Sequence, residues 1–453
     1  MPSHDAHKGC NDFRQTSEAT RRRWLGPSLT RRQVLGAGLG FGLSVYGARA
    51  LPLTRMLEAA EAQAAAAPNA PVLVSVFLPG GCDLLNTIVP LNDFGRYADL
   101  RKHIRLDGAP ALGGSGLGIH PALTTGARGG IKGLYEAGKV GLLPGIDYAN
   151  PDLSHFHSRH FWETGLITQD AAPGWLGRWL DHHGSPDNAL QGLSLDYSLS
   201  PVMRSGGAPV AAVYSPGEAK LYINGTWGKG LDQALAAWDR ISASRPRGPG
   251  PAAAYGAARL AKQVGDRLAP YAKQNDRGPD PLAPPVPYPA GNELGKRLGR
   301  LAALISLPLG VRVATVDAKG EFDTHDNQPG DLDKALRSTG EALAAFQLDL
   351  ETRGVADRVL TLVWSEFGRR PQDNDSMGTD HGAGGIAMVV GSRANAGVLS
   401  AYPSLSALDR EENLQVTIDF RRVYASLIEQ WLGTSAADVI PNAATFGRVQ
   451  LVR

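Results

Sequence analysis

Two acid–histidine pairs in the second half of the chain could hold metal ions. The stretch "DTH" places Asp323 two residues before His325, and "TDHG" places Asp380 beside His381. Carboxylate oxygens and imidazole nitrogens, without a thiolate, are a ligand set that suits Zn²⁺, Mn²⁺ or Fe. We therefore expect these four side chains to bind one or two divalent metal ions. The alternatives are a helix-capping turn for the first pair and a hydrogen-bonded turn for the second.

Three further candidates come from the first half of the chain. Asp83 follows a pair of glycines and a cysteine, and is a candidate metal ligand or an ordinary turn aspartate. Ser154 is predicted to begin a helix, where free N–H groups and the helix dipole favour an anion and lower a hydroxyl pKa. It is therefore a candidate site residue, or only the N-cap of that helix. His155, its neighbour, is an additional candidate for the same site.

Arg369, like its neighbour Arg370, is a candidate to bind a small anionic substrate. It follows the apolar run at 359–365, in the stretch "SEFGRR". A guanidinium group matches the oxygens of phosphate or sulfate in a planar, bidentate geometry. The alternative is a solvated loop side chain.

The elements that must position these residues can be predicted from apolar runs. Unbroken aliphatic stretches of this length are typical of strands buried on both faces. Helical patterns lie between them, at 291–307 and 331–354. The chain therefore predicts an α/β fold with a mainly parallel central sheet and helices on both faces. Ligands of such sheets bind beyond the carboxyl ends of the strands, where the candidate residues stand. The predicted strands are 72–78, 140–146, 311–316, 359–365 and 386–391.

The first 50 residues resemble an export signal. Arg31 and Arg32 precede an apolar run from Val34 to Tyr46, and a small-residue pattern ends at Ala50. This predicts a twin-arginine signal peptide over 1–50, a flexible spacer over 51–70 and a periplasmic or extracellular destination. Its export partner would be the twin-arginine machinery. The alternative, a membrane helix, is disfavoured because the run is too short and glycine-rich, so no stable membrane span is expected after cleavage.

The rest of the chain is predicted to form one α/β domain over 71–433. An irregular insertion rich in Pro and Gly is expected at about 200–290, as a helical cap, and a C-terminal tail at 434–453. We find no internal repeat.

Composition and charge exclude some functions. Apolar residues make up 43% and charged residues 20% of the chain, which is a globular composition. The net charge of +2 comes from the leader, since residues 51–453 hold 38 basic and 41 acidic side chains. A body so close to neutral gives no case for a nucleic-acid partner. Beyond the leader Cys82 stands alone, so it can form no internal disulfide.

Four stretches resemble a known bacterial family. They read "LVSVFLPGGCDLLNTIVP", "LPGIDYANPDLSHFHSRHFWETG", "GEFDTHDNQ" and "SEFGRRPQDNDSMGTDHGAGG". They are similar to the family catalogued as domain of unknown function 1501, whose members are exported, commonly by the twin-arginine route. That family is related to the alkaline phosphatase and sulfatase superfamily. The resemblance covers about residues 70 to 433, and its last two motifs are quite specific when found together.

The resemblance implies an alkaline-phosphatase-like fold and a metal-dependent hydrolase of phosphate or sulfate esters. It implies Ser154 as the nucleophile and Asp83 as an early metal ligand. It further implies that Asp323 and His325 bind one metal, and that Asp380 and His381 bind another. The alternative is a non-catalytic exported binding or assembly protein that keeps this fold.

The chain departs from the superfamily pattern at three points. The spacing between Asp323 and His325 is narrower than usual. No histidine follows His381, although a late histidine ligand is usual, and this favours the non-catalytic alternative. Glu366 or Asp419 is a candidate to replace that ligand. Cys82 is followed by "DLLN" rather than by the sulfatase nucleophile motif, so formylglycine chemistry is excluded.

Overall fold

The structure is a computed structural model that describes residues 43–46, 69–214, 229–230, 233, 236, 260–272 and 278–453. The predicted signal peptide and spacer therefore lie outside the described residues, except for 43–46 and 69–70. Much of the predicted insertion at 200–290 also lies outside them.

The strands of the described residues are numbered β1 to β15. Their bounds are Leu43–Tyr46 (β1), Val72–Phe77 (β2), Ile88–Val89 (β3), Ala111–Leu112 (β4), Leu117–Ile119 (β5), Val140–Asp147 (β6), Gly192–Ser194 (β7), Val210–Val213 (β8), Val313–Asp317 (β9), Val359–Trp364 (β10), Gly368–Arg369 (β11), His381–Gly382 (β12), Gly385–Val390 (β13), Gly397–Val398 (β14) and Ile418–Asp419 (β15).

Within the described part of the chain, one large sheet runs in the order β1-β8-β7-β9-β2-β10-β13-β6-β14, and β15 also pairs with β6. Its centre is parallel, from β8 through β7, β9 and β2 to β10. Strand β13 runs antiparallel between β10 and β6, and β1 pairs antiparallel with β8. All five apolar runs predicted to be strands lie in this sheet, as β2, β6, β9, β10 and β13. The α/β class and the mostly parallel sheet are therefore confirmed.

The α-helices are numbered α1 to α8 in the same way. Their bounds are Leu84–Thr87 (α1), Phe94–Leu100 (α2), Gly130–Glu136 (α3), His155–Thr164 (α4), Trp175–His183 (α5), Glu293–Ser306 (α6), Gln328–Thr352 (α7) and Phe420–Gln430 (α8). Residues 260–268 are helical as well. The 3₁₀ segments are Leu91–Asp93, Pro121–Thr124, Ala127–Gly129, Ala189–Gln191, Pro201–Met203, Ala269–Tyr271, Ala356–Arg358, Ala436–Asp438 and Ala443–Phe446. None of the helices within the described ranges combines the length and apolar character needed to cross a bilayer.

Helices pack on both faces of the large sheet. Val74 and Val76 of β2 belong to a buried cluster that includes side chains of α6 and α7. Leu73 and Phe77, whose side chains alternate to the other face of the strand, belong to a second cluster with side chains of α4, α5 and α8. Because β2 is apolar and buried along its whole length, it can lie at the centre of the sheet with a core on each side.

Parts of the predicted insertion and of the predicted C-terminal tail belong to the body of the domain. Strand β8 lies inside the predicted insertion, yet its parallel pairing with β7 makes it part of the large sheet. In the predicted tail, Leu451 is fully buried and Val452 forms a bridge to Ala394. The last residues therefore complete the core beside α8.

Candidate metal centre

The candidate site lies at the carboxyl edge of the parallel strands. His155 begins α4 after β6, and the segment with Asp323 and His325 joins β9 to α7. Glu366 follows β10, and His381 lies in the short β12, which pairs with β11. Since the carboxyl ends of parallel strands meet at one edge, residues more than 200 positions apart converge there.

One carboxylate oxygen is the meeting point of three imidazole rings. Asp323 Oδ1 lies 3.5 Å from Nε2 of His155, 3.2 Å from Nε2 of His325 and 3.4 Å from Nε2 of His381. Ligand atoms of His155, Asp323 and His381 all lie within 4.8 Å of one another. We call these four residues, His155, Asp323, His325 and His381, the histidine cluster.

The rings of His155 and His381 are each held from the side that faces away from Asp323. Nδ1 of His155 lies 2.8 Å from Glu366 Oε1. Nδ1 of His381 lies 2.7 Å from the carbonyl oxygen of Leu153. When Nδ1 donates its hydrogen to such an acceptor, Nε2 carries the lone pair that a metal ion requires.

The third ring, His325, is held in the same way by Asp380. Its Nδ1 lies 3.1 Å from Asp380 Oδ1, whose side chain is 58% exposed. Of the predicted pair, His381 therefore belongs to the histidine cluster, whereas Asp380 contacts a cluster histidine from outside. The His325 side chain is 33% exposed, so the cluster is open to solvent on this side.

Glu366 is fixed by backbone N–H groups at the end of β2. Its two carboxylate oxygens accept hydrogen bonds from the amides of Gly80 and Gly81 and from the Ser365 hydroxyl. Burial alone would raise the pKa of this carboxyl, but the hydrogen bond from His155 and its charge, together with the backbone amide of Gly80, lower it. Glu366 is therefore a charged partner for the His155 ring.

Arg369 is a buried partner of the cluster rather than a free anion-binding group. Its Nη2 lies 2.6 Å from Asp323 Oδ1, and both side chains are fully buried. Each of its three guanidinium nitrogens donates to a protein oxygen, including the carbonyls of Gly80, Gly81 and Thr379. Burial raises the pKa of Asp323, but the three histidines and Arg369 outweigh it and hold that pKa far below its usual range.

The donor set and the spacing of the histidine cluster fit a divalent metal ion. Three imidazole nitrogens and one carboxylate oxygen suit Zn²⁺, Mn²⁺ or Fe. Ligand atoms at the corners of a tetrahedron with bonds of about 2.0–2.2 Å are about 3.3–3.6 Å apart. The three nitrogen–oxygen distances to Asp323 cover nearly this range. The ligand atoms of His155, Asp323 and His381 are close enough together to share one ion, and His325 adds a third imidazole beside Asp323 Oδ1.

Asp83 does not join the cluster. Arg101 donates to both of its carboxylate oxygens, at 2.7 and 2.8 Å, and Gln328 Nε2 donates to Oδ2 at 2.6 Å. Asp83 also caps α1 by accepting from the amide of Leu85. The Asp83 and Arg101 side chains are at most 1% exposed, so this is a buried ion pair.

Ser154 lies directly beside the cluster in the chain. Its neighbours Leu153 and His155 both contact the site, through a carbonyl oxygen and an imidazole. The Ser154 hydroxyl oxygen accepts from the amide of Phe156 at 3.2 Å and caps α4, as its alternative interpretation predicts. Asp419, the other candidate for a missing ligand, caps α8 and pairs with Arg421.

Two glycines allow the loops to pack tightly around the cluster. A Cβ atom on Gly378 would lie 2.1 Å from the carbonyl oxygen of His325. A Cβ atom on Gly80, whose φ is +117°, would lie 2.3 Å from the amide nitrogen of Asp323. Glycine is therefore required where these backbones meet.

Several of these residues have weak or no signals in the sequence. His155 and Glu366 are only additional candidates there, although both lie at predicted strand or helix ends. Nothing in the sequence predicts Gln328 or Arg101, since no local pattern pairs either with Asp83.

A sequence profile of the family described as "Protein of unknown function (DUF1501)" matches residues 249–439. The match supports membership of that family. It includes Asp323, His325, Glu366 and His381, and begins after His155. No curated protein matches the chain.

Proposed function

We propose that the chain is a metal-dependent hydrolase of phosphate or sulfate esters, on an alkaline-phosphatase-like fold. One divalent ion would be held by His155, Asp323, His325 and His381. The observation that carries this proposal is the convergence of three Nε2 atoms on Asp323 Oδ1, with each Nδ1 next to a separate acceptor. We also propose twin-arginine export, which rests on Arg31-Arg32 and the apolar run that follows.

The chain's own residues support hydrolytic chemistry at this position. Zn²⁺, Mn²⁺ or Fe, when bound, would supply a Lewis acid for an ester oxygen and would lower the pKa of a nearby hydroxyl. Ser154 lies at the start of α4, where N–H groups and the dipole favour negative charge. Its hydroxyl oxygen would form a bond to phosphorus or sulfur as the alcohol leaves with a proton. Water would then attack the phosphorus or sulfur, break its bond to the serine oxygen and release phosphate or sulfate, with a proton from the water restoring the Ser154 hydroxyl.

The first test is the metal content of the purified protein. In wild type we expect about one zinc, manganese or iron ion per chain by elemental analysis. The double variant His155→Ala/His381→Ala should lose it. The control is His160→Ala, on the same helix, because His160 contacts the carbonyl oxygen of Asp170 outside the cluster. If wild-type protein expressed with excess metal contained none, the proposal would be contradicted.

The second test separates metal binding from turnover. With p-nitrophenyl phosphate and p-nitrophenyl sulfate as probes, Ser154→Ala should keep the metal and lose hydrolysis by several orders of magnitude. Turnover that survives in Ser154→Ala would remove the serine from the mechanism.

A second candidate function, a non-catalytic metal-containing binding or assembly module, is favoured by one observation. Arg369 is buried and its guanidinium nitrogens donate to protein oxygens, so it is not available to bind an anionic ester. The exposed carboxylate of Asp380 lies 3.1 Å from His325 on the open side instead. Metal bound at full stoichiometry, with no hydrolysis of either probe, would support this second function.

A further inference from the structure

A buried polar network joins two loops that carry three of the four residues of the histidine cluster. One loop holds Asp323 and His325, and the other holds Thr379 and His381. The side chain of Gln328, the first residue of α7, is fully buried between them. Its contacts reach both loops and one charged pair.

The amide of Gln328 bonds three side chains at once. Its Nε2 donates to Asp83 Oδ2 at 2.6 Å. Its Oε1 accepts from the hydroxyl of Thr324 at 2.9 Å and from the hydroxyl of Thr379 at 2.6 Å. Only this orientation gives the carboxylate a donor and both hydroxyls an acceptor.

The two threonines stand next to cluster residues in the chain. Thr324 lies between Asp323 and His325, and Thr379 lies two residues before His381. Both hydroxyls bond the same oxygen atom, so Gln328 fixes the distance between the loops. The backbone adds to this, because the amide of Thr379 donates to the carbonyl of Thr324 at 2.9 Å.

The network is anchored on the Asp83–Arg101 ion pair. Besides its two bonds to Asp83, Arg101 donates to the carbonyl oxygens of Pro371 and Arg370. Those residues begin the connection that leads to Thr379. A bidentate, fully buried arginine–carboxylate pair has little freedom to move, so it is a rigid base for Gln328.

We propose that Gln328 is a positioning residue of the metal centre, which it holds in register by linking both ligand loops to the Asp83–Arg101 pair. This inference rests on the proposed metal site, but the link between the loops exists without an ion. Asp83 then acts two contacts away from the cluster, as an anchor and not as a ligand.

The test compares two glutamines on one helix. Gln328→Met keeps the side-chain size and removes the three polar bonds. The control is Gln347→Met, because Gln347 is also buried in α7 and bonds Glu351 and Ser392. It lies 19 residues further on, about 28 Å along the helix axis.

The first readout is hydrogen exchange in the metal-free protein. In Gln328→Met, peptides containing 323–325 and 379–381 should both exchange about tenfold faster than in wild type. Peptides of β2 should keep their rates, since a general loss of stability would accelerate them as well. The control should leave both loops unchanged. Wild-type rates in either loop of Gln328→Met would overturn the proposal.

The second readout is the Zn²⁺ dissociation constant, measured by chelator competition. Gln328→Met should weaken binding by on the order of tenfold, the lower end of the effect of residues that bond metal ligands directly, because Gln328 acts through the neighbours of the ligands; Gln347→Met should not weaken it. Unchanged affinity in Gln328→Met would also overturn the positioning role. If wild type itself binds no metal, the proposed function fails, and the exchange rates alone decide whether Gln328 positions the loops.

Discussion

Glu366 Oε1 lies 2.8 Å from Nδ1 of His155, and Nε2 of the same ring faces Asp323 Oδ1 at 3.5 Å. The His155 imidazole thus connects the buried Glu366 carboxylate to Asp323. Glu366 is itself held by the backbone amides of Gly80 and Gly81, just after β2. Carboxylates in this position fix the tautomer and orientation of metal-binding histidines and increase their basicity.

The variant Glu366→Gln should therefore weaken metal binding. A glutamine side chain places an NH₂ group among the amides of Gly80 and Gly81, where only an acceptor fits. The His155 ring would lose its charged partner and its fixed orientation. We expect metal affinity to fall by about 10–100-fold in a chelator competition titration.

The matched control for this variant is Glu351→Gln. Glu351 also pairs with cations, Arg128 and Lys139, but it lies at the end of α7 with its side chain 20% exposed. The metal affinity of the Glu351→Gln protein should equal that of wild type. Equal affinity in Glu366→Gln would show that His155 needs no carboxylate partner.

Gly378→Ala should disturb the cluster from the backbone side. The added methyl carbon would lie only 2.1 Å from the carbonyl oxygen of His325. Because this is a collision, one of the two loops must move. We expect a severalfold or greater loss of metal affinity together with a lower Tm. Gly95→Ala is the control, because a Cβ atom there meets open space within helix α2. A Gly378→Ala protein with wild-type affinity and Tm would show that this contact relaxes freely.

Asp323→Asn should destabilise the metal-free protein strongly. The substitution leaves the guanidinium of Arg369 fully buried without its charge partner, and removal of one member of a buried ion pair costs about 3–5 kcal/mol. Urea unfolding measures this loss. Asp107→Asn is the control, since Asp107 forms an exposed pair with Arg105, and its loss should stay below about 1 kcal/mol. A cost that small for Asp323→Asn would mean that Arg369 is held by its carbonyl contacts alone.

Much of the sheet and part of the site could be predicted because their signals are local. The five apolar runs form strands wherever they are buried on both faces, and the polar residues after them must lie at one edge. Asp323, His325 and His381 follow from this placement. His155 and Glu366 follow β6 and β10 in the same way, but their roles depend on which atoms meet across the edge.

The rest depends on partners that no local pattern reveals. Asp83 follows a strand, as a metal ligand would. Yet it is neutralised by Arg101, the residue directly after helix α2. Asp380 and His381 are adjacent, but only His381 faces Asp323, whereas Asp380 contacts the far side of the His325 ring, and no local pattern shows which of the two turns inward. Arg369 could not be predicted to be buried, because its acceptors are carbonyls from distant segments.

The pH dependence of the unfolding free energy should show the effect of another buried carboxyl, that of Glu163 in α4. Its side chain is almost fully buried and accepts a hydrogen bond from Arg159 at 2.8 Å. Burial raises the pKa of Glu163 from 4.5 to about 7, and the attraction of Arg159 only partly offsets this. The folded protein therefore binds a proton at Glu163 that the unfolded chain has released between these pH values.

A raised carboxyl pKa contributes stability that is fully present below pH 4.5 and is lost as the pH rises through about 7. Glu163→Gln mimics the protonated form at every pH. Relative to wild type, the variant should therefore gain stability between pH 5 and pH 8, by at most about 3 kcal/mol. The difference in urea unfolding free energy at the two pH values measures this gain. In the control Glu429→Gln the difference from wild type should stay nearly constant between pH 5 and pH 8, because the bond from Arg448 lowers the pKa of Glu429 below 4.5 and the group is charged in both states across this range. If the difference between Glu163→Gln and wild type were the same at pH 5 and pH 8, Glu163 would be charged in the folded protein across this range and its pairing with Arg159 would dominate over burial.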